Sequence, residues 1–576
     1  PFTGTGTFIT RLLQSGLIKP EELAYKYKNE IHANEIVLLA YYIAAINIEA
    51  VYHSLSGKYT PFEGICLTDT FQLYEHDDLI SHTFADNSTR RAKQKRLDIR
   101  VIIGNPPYSV GQSSANDNNQ NVAYEHLDQK IRETYADSST ATNKNALYDS
   151  YIRAIRWASD RVGKSGIIGF ITNAGFIDSR SSDGLRKALY KEFTDIYIFH
   201  LRGLRGVKTS GERAKQEGGQ IFGLASSTSI AIIFLVKNIT KNNHSNIYFH
   251  DIGEYLNREE KLLKISNFGS IDAISKNNGW NIIIPDIYGD WIKQRDNSFC
   301  KFIAIGDKDN PHASKIFYNY SCGLKTQRDV WCYNSSKDKV SNNMQDMIGF
   351  YNKEVIRFDK LYSKVDKATK ETVIDNFIDN DSTKISWTHN LKQELMKSSK
   401  LVFESDSLIS SLYRPFNKNW LYYNRKFNER VYQMPRIFPN AEAHNIVICV
   451  TGVGARTFST LITSNLPCLD NIEKGQCFPL YLYEAITEES EDSNLFSSTK
   501  ENETNLFRRD AITDEGLSHF KETYPNDIIT KEDIFYYIYG LFHSTDYRVR
   551  YADNLSKELP RIPRVKMSED FWAFSK

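Results

Sequence analysis

The chain has 576 residues, of which 41% are hydrophobic and 25% charged, and its 72 Lys and Arg nearly balance 71 Asp and Glu. That composition excludes a disordered or collagen-like polypeptide, and no apolar run reaches the roughly 18 residues of a membrane span. The balanced charge excludes a globally basic nucleic-acid binder, so an anionic partner must be met by a local patch, and the length corresponds to about three or four ordinary domains or two large ones.

The opening PFTGTGTFIT has neither a charged n-region nor an apolar h-region and is not a signal peptide. A Gly-x-Gly turn normally follows the strand that delivers it, and only Pro1, Phe2 and Thr3 precede this one; the expectation is a piece of a longer polypeptide, cut after its first strand. Apolar residues then recur at helical spacing over 33–55. Within and after that run, Glu35 stands where a second strand could end and Asp69 follows the apolar ICL, where a third could end. Their carboxylates could accept from ribose hydroxyls and from an adenine amino group, although each taken singly reads as readily as a surface carboxylate or helix cap.

RRAKQKR at 90–96 is either a local basic patch or the solvated face of a helix. It precedes VIIGNPPYS, a buried-strand pattern that runs into Asn105, Pro106, Pro107 and Tyr108, and the polar stretch 109–121 after it reads as a loop. Leu147, Tyr151, Ile155, Ala158 and Val162 mark one face of a helix that ends at Gly163 and Gly166. The GKS at 163–165 is not a phosphate-binding loop, because Ala158 stands where the first glycine is required. IIGFIT at 167–172 and SIAIIFLV at 229–236 are continuous enough in apolar residues to be strands buried on both faces. The alternation of strand and helix over about the first 240 residues predicts a doubly wound, Rossmann-like α/β sheet.

Beyond about residue 285 the alternation fades into aromatic, polar, irregular segments, read as a mixed α+β domain over 286–576 behind a sheet domain over 1–285. In YRPFNKNWLYYNRKFNER, Arg414, Lys418, Arg425, Lys426 and Arg430 interleave with Tyr413, Phe416, Trp420, Tyr422, Tyr423 and Phe427. The pattern suits phosphates and bases, or a strand pair whose rings enter a core. The last segment reads as a helix, a short break and a second helix ended by proline. Cys66, Cys300, Cys322, Cys332, Cys449, Cys468 and Cys477 form no CxxC pair, so neither a zinc site nor a disulfide framework is indicated and a reducing cytoplasm fits best.

The Asn-Pro-Pro-Tyr turn carries the chemistry. Neither proline has an N–H, so the turn is stiff and presents acceptors: the Pro106 carbonyl and the Asn105 side-chain oxygen suit an exocyclic amino group, and Tyr108 supplies a flat face beside them. Taken in order, glycine-rich turn, acid, Asp and NPPY resemble the amino-methyltransferases that use S-adenosylmethionine, in the arrangement of the gamma class of DNA adenine-N6 enzymes. NPPY also occurs in enzymes that methylate glutamine amides of proteins. NPPYSVGQSSANDNNQN, LYDSYIRAIRWASDR, GIIGFITNAGFID, HLRGLRG, SCGLKTQRDVW, TGVGARTFSTLITSNLPCLD and the terminal FYYIYGLFHSTDYRVRYADNLSKELPRIP resemble the methyltransferase and target-recognition portion of Type ISP restriction–modification enzymes.

The resemblance implies a methyltransferase sheet whose first strand is truncated, followed by a target-recognition domain. It implies that Phe2, Thr3, Gly4 and Gly6 shape the loop around the cofactor S-adenosylmethionine, that Glu35 holds its ribose and that Asp69 holds its adenine. Asn105, Pro106, Pro107 and Tyr108 would then take a flipped-out adenine from double-stranded DNA. Arg414, Trp420, Arg425, Lys426 and Arg430 would contact the DNA, and nuclease and helicase-like domains would lie upstream in the same bacterial cytoplasmic polypeptide. One departure is that the acidic residue which normally precedes the Pro-Phe of the loop is missing. The alternatives are a protein-glutamine or RNA amino-methyltransferase and a catalytically silent DNA-recognition module.

Overall fold

The structure, a computed structural model, describes all residues except 74–84, 109–122, 142, 207–210, 224–226, 239–244, 456 and 486–505. The stretch 109–121, read from the sequence as a loop, therefore lies outside the described residues. Two compact units close separately, Pro1–Gln294 and Arg295–Lys576.

In the first unit, β1 (Ala33–Glu35) and β2 (Ile65–Leu67) form a parallel pair. A six-stranded sheet is built from β3 (Val101–Gly104), β4 (Ser165–Asn173), β5 (Asp195–Arg202), β6 (Ile230–Asn238), β7 (Asn246–Asp251) and β8 (Asn281–Ile283), in the order β3-β4-β6-β5-β7-β8. β3 runs parallel to β4 and β5 parallel to β7, while β6 lies antiparallel between β4 and β5. Apolar runs do not report strand direction, so the reversal of β6 leaves no trace in the sequence. The burial on both faces expected of β4 is not complete, since Ile167 is exposed, as are Val101 and Ile103 of β3.

Pro1–Thr3 lie between the two sheets. The Thr3 amide donates to the Asn34 carbonyl of β1 at 3.1 Å, and the Pro1 carbonyl lies 3.1 Å from where a Cβ on Gly104 of β3 would stand. Around them is a cleft lined by Thr3, Ala33 and Asn34 on one side and Val101, Ile102 and Ile103 on the other.

Helices α1 (Thr7–Gln14), α2 (Pro20–Asn29) and α3 (Leu38–Ser56) close over β1 and β2 through Ile9, Leu13, Tyr27, Ala44, Ile48 and Tyr52. The helical spacing expected over 33–55 holds only from Leu38, because Ala33–Glu35 are drawn into pairing with β2. The basic residues of 90–96 lie on α4 (Ala85–Arg96). Next come α5 (Glu125–Ile131), α6 (Ser150–Arg161), capped by the Asp149 side chain, and α7 (Asp183–Glu192). The helix expected from Leu147 begins instead with a 3₁₀ turn at Asn145–Tyr148, and its buried residues run without a gap from Tyr151 to Ser159. Spacing marked one apolar face. The polar side is buried as well because Arg153 meets Asp128 at 2.8 Å and Arg156 meets Glu192 at 2.6 Å; buried cations are tolerated when paired in this way.

The second unit is mixed α+β. One sheet orders Ser321–Cys322, Gln476–Pro479, Val447–Val450 and Thr460–Thr463; another orders Tyr333–Asn334, Asn417–Tyr422, Leu408–Arg414 and Leu466–Pro467. The long helix Lys337–Tyr362 buries Val340, Met344, Met347, Tyr351 and Phe358. Residues 529–565 form three helices and not the two expected, Lys531–His543, Thr545–Arg550 and Ala552–Lys557, since the chain turns again at Tyr551, and a further helix, Ser568–Ser575, follows. No helix among the described residues is long and apolar enough to cross a membrane.

Candidate functional site

The glycine loop is closed by β1. Gly4 and Gly6 take φ of 58° and 87°, a region costly to any residue with a Cβ, and Phe2 enters the loop at φ 55°. The Gly4 amide donates to Glu35 Oε2 at 2.7 Å, and Glu35 Oε1 accepts from the Ile36 and Val37 amides at 3.0 and 2.9 Å. Glu35 thus braces the loop and caps the approach to α3, its carboxylate keeping one of roughly four lone-pair directions for a further donor. The Thr3 hydroxyl donates to the Asn34 carbonyl at 2.9 Å.

Asp69 follows β2 and is half-buried. Its Oδ1 accepts from the Phe71 amide at 2.9 Å and its Oδ2 from the Tyr124 hydroxyl at 2.7 Å. Burial pushes the Asp69 carboxyl up from its ordinary value, opposed by these two donors and by Arg153. Phe2 packs on Phe71 with ring centroids 5.5 Å apart, so the loop and the end of β2 meet.

At the end of β3, Asn105 and Pro107 are exposed, Pro106 is buried and Tyr108 is half-buried. The Tyr108 hydroxyl donates to Asn105 Oδ1 at 2.9 Å and lies 3.3 Å from the Ile171 carbonyl of β4, while the ring meets Tyr151 edge-on at 6.4 Å. Burial, helped by Asp149, holds this phenol in its neutral form. The Asn105 oxygen therefore already accepts one hydrogen bond and has one lone pair left for an incoming amino group. Phe2 lies against Gly104, its ring 3.7 Å from where a Cβ would stand, which joins the glycine loop to the NPPY strand.

The structure thus brings Phe2, Thr3, Gly4, Glu35, Asp69 and the NPPY turn to one group of strand ends. Gly6 closes the loop, its amide donating to the Thr3 carbonyl at 3.0 Å, and it also precedes α1 and packs on Ala44 and Ile48. Sequence reasoning missed Tyr124 and Phe71: a tyrosine far along the chain, touching Asp69 only through the fold, gives no local signal.

In the second unit, Leu408–Arg414 and Asn417–Tyr422 pair antiparallel, with Tyr422 and Phe427 in the core and Phe416 exposed. Arg414 stacks 4.1 Å from the Tyr413 ring centroid and donates to the Tyr413 carbonyl at 2.7 Å. Trp420 is half-buried with the Lys337 ammonium 4.9 Å from its ring centroid, and Lys426 donates to Glu394 at 2.6 Å. Arg425 and Arg430 are exposed, and the main chain of Arg430 pairs with Lys325.

Acids at two successive strand ends and an acceptor turn at the third, gathered round a glycine loop, place the first unit in the class of doubly wound methyltransferase domains. Residues 29–205 match the family model of the Eco57I restriction-modification methylase, and residues 315–576 that of the Type ISP C-terminal specificity domain. The chain belongs to the Type ISP restriction–modification family, of which it carries the methylase and specificity portion.

Three solved structures are similar over 100% of the chain. A nuclease-deletion mutant of the Type ISP enzyme LlaGI, in complex with a DNA substrate mimic, is 40% identical with a TM-score of 0.80. The ATP-dependent Type ISP enzyme LlaBIII bound to DNA is 38% identical with a TM-score of 0.81, and DrdV in a DNA complex is 36% identical, also at 0.81. The chain spans 43%, 36% and 53% of the lengths of these three. No curated protein matches it.

Proposed function

We propose that this chain is the methylating and sequence-reading part of a DNA adenine-N6 methyltransferase. It would work in a bacterial cytoplasm within a longer single polypeptide that carries nuclease and helicase-like domains upstream. The observation that carries the reading is the NPPY turn at the end of β3, seated against the glycine loop through Phe2 and Gly104. The match to a restriction–modification methylase over 29–205 supports it.

The residues fit S-adenosylmethionine. An added Cβ at Gly4 meets no heavy atom within 4 Å, so the loop is open above that residue, and Asp69 spends only one hydrogen bond on each oxygen. Phe2, Thr3 and Gly4 would hold the methionine part, Glu35 the ribose and Asp69 the adenine. The cofactor when bound supplies an electrophilic methyl group on a sulfonium.

The rest falls to the chain. The target adenine must leave the duplex, at a cost of a few kcal/mol that stacking on Tyr108 partly offsets. Asn105 Oδ1 and the Pro106 carbonyl accept from its amino group and fix the direction of the nitrogen lone pair. The nitrogen gains the methyl group as that group's bond to sulfur breaks, and the surplus N6 proton leaves to solvent. Neither the Asn105 oxygen nor the Pro106 carbonyl takes up charge, so the rate gain comes from alignment, for which a misplacement of about 1 Å costs about a hundredfold. Arg414, Trp420, Arg425, Lys426 and Arg430 remain the candidates for DNA contact, with the exposed Arg425 and Arg430 best placed to reach phosphates or base edges.

The test is methyl transfer from labelled S-adenosylmethionine by the full-length enzyme, offered duplex DNA, RNA and protein in parallel. Label is expected in duplex DNA as N6-methyladenine, and Asn105→Ala should lower it by about a hundredfold or more with specific DNA binding retained. Label in RNA or protein instead, or full turnover by the variant, would refute the reading.

A further inference from the structure

The side chain that holds Asp69 is itself held from several directions. Tyr124 is 8% exposed and stands just before α5. Its ring meets Phe71 edge-on at 5.2 Å, and the Arg153 guanidinium lies 5.3 Å from the ring centroid. Arg153 grips Asp128 through two hydrogen bonds of 2.8 Å, and Asp128 Oδ2 accepts from the Tyr124 amide at 3.2 Å. A single rotamer of Tyr124 therefore carries its hydroxyl to Asp69 Oδ2, while the Phe71 amide fixes Oδ1. Two donors, one on each oxygen, leave a carboxylate that can only accept, with its remaining lone pairs in set directions.

We infer that Tyr124 is the positioning residue that makes Asp69 selective for an amino-bearing purine in the cofactor. The inference rests on the cofactor reading proposed above. An adenine offers an exocyclic N–H to the free lone pairs. A hypoxanthine offers a carbonyl oxygen at that position, which would face the carboxylate and repel it. A site built around a fixed hydrogen-bonding group rejects the analogue that lacks the partner because a buried polar group is left unpaired. Without the phenol, the Asp69 carboxylate can turn or pick up a proton and then meet a carbonyl as a donor, so selectivity falls even where binding survives.

The experiment is calorimetric binding of S-adenosylhomocysteine and its deaminated counterpart S-inosylhomocysteine to the full-length enzyme, wild type and Tyr124→Phe. Phe keeps the ring against Phe71 and Arg153 and removes only the hydroxyl. The wild type is expected to prefer the adenosyl compound by about a hundredfold, and Tyr124→Phe to cut that preference by about tenfold, chiefly by weakening the adenosyl compound. Fluorotyrosine at position 124, which retains the donor, should keep the wild-type preference and covers the case of a variant that folds poorly. A preference unchanged in Tyr124→Phe, or both compounds weakened by the same factor, overturns the inference and makes Tyr124 a packing residue. Failure of the wild type to bind S-adenosylhomocysteine overturns the cofactor reading itself, and the inference with it.

Discussion

Gly4 and Gly6 sit two residues apart with positive φ, yet they answer to different forces. An added Cβ at Gly4 meets only open space, so Gly4→Ala should cost about 1 kcal/mol from the left-handed backbone alone. At Gly6 the same Cβ lies 3.3 Å from the Ala44 backbone and from Ile48, and Gly6→Ala should cost about 2–3 kcal/mol, read as a lower denaturation midpoint at unchanged slope. Equal costs would show that α1 does not press on α3 as described. At this scale Asn105 was legible because it directly follows the apolar run that becomes β3, and Asp69 because it stands two residues beyond the apolar β2, whereas Glu35 ends a strand of Ala33, Asn34 and Glu35 that has no apolar pattern. What was not legible is what those groups already hold. The bonds from Gly4 to Glu35, from Tyr124 to Asp69 and from Tyr108 to Asn105 are contacts of the folded chain, and two of the three join residues distant in sequence.

Among the elements, β5 and β7 meet at a charged end. Burial pushes the Asp251 carboxyl up, but His200 Nδ1 at 3.1 Å, Arg202 Nε at 2.7 Å and the Gly253 amide at 2.8 Å together hold it well below the usual carboxylate range. A depressed carboxyl contributes stability that is fully present above the unfolded carboxylate pKa, near 4, and is lost as pH falls through the folded value. Asp251→Asn should therefore lower stability at pH 7 by about 1–3 kcal/mol and flatten the loss of stability below about pH 4. An unchanged slope of stability against pH in that range would refute the account. The elements also show where periodicity stops informing. β4 and β6 were visible as apolar runs, but their antiparallel pairing was not, and α6 hid its buried arginines because an ion pair leaves no pattern in the spacing of apolar residues.

At the scale of the molecule, each β-sheet among the described residues is made from strands of one unit only. Of the first unit's sheet, β3, β4 and β6 could be read from the sequence as apolar runs, whereas β5 and β7, with polar or charged residues at both ends, could not. In the second unit the mixed α+β character and the strand pair Leu408–Arg414 with Asn417–Tyr422 were among the readings, but the sheets as a whole were not legible. Its ladders join pieces as short as Ser321–Cys322 and Tyr333–Asn334 to strands far along the chain, where neither period nor turn chemistry has room to register. Separate cores predict separate responses. Met344→Ala, in the core of the second unit, should cost about 2–5 kcal/mol and shift one calorimetric transition, while Gly6→Ala shifts another. A single transition moved by both would show one cooperative body. In evolutionary terms, two separate transitions would mean two independent stability reserves. Drift in residues 295–576 would then be judged against their own threshold, and recombination near residue 295 could exchange that half without disturbing the other.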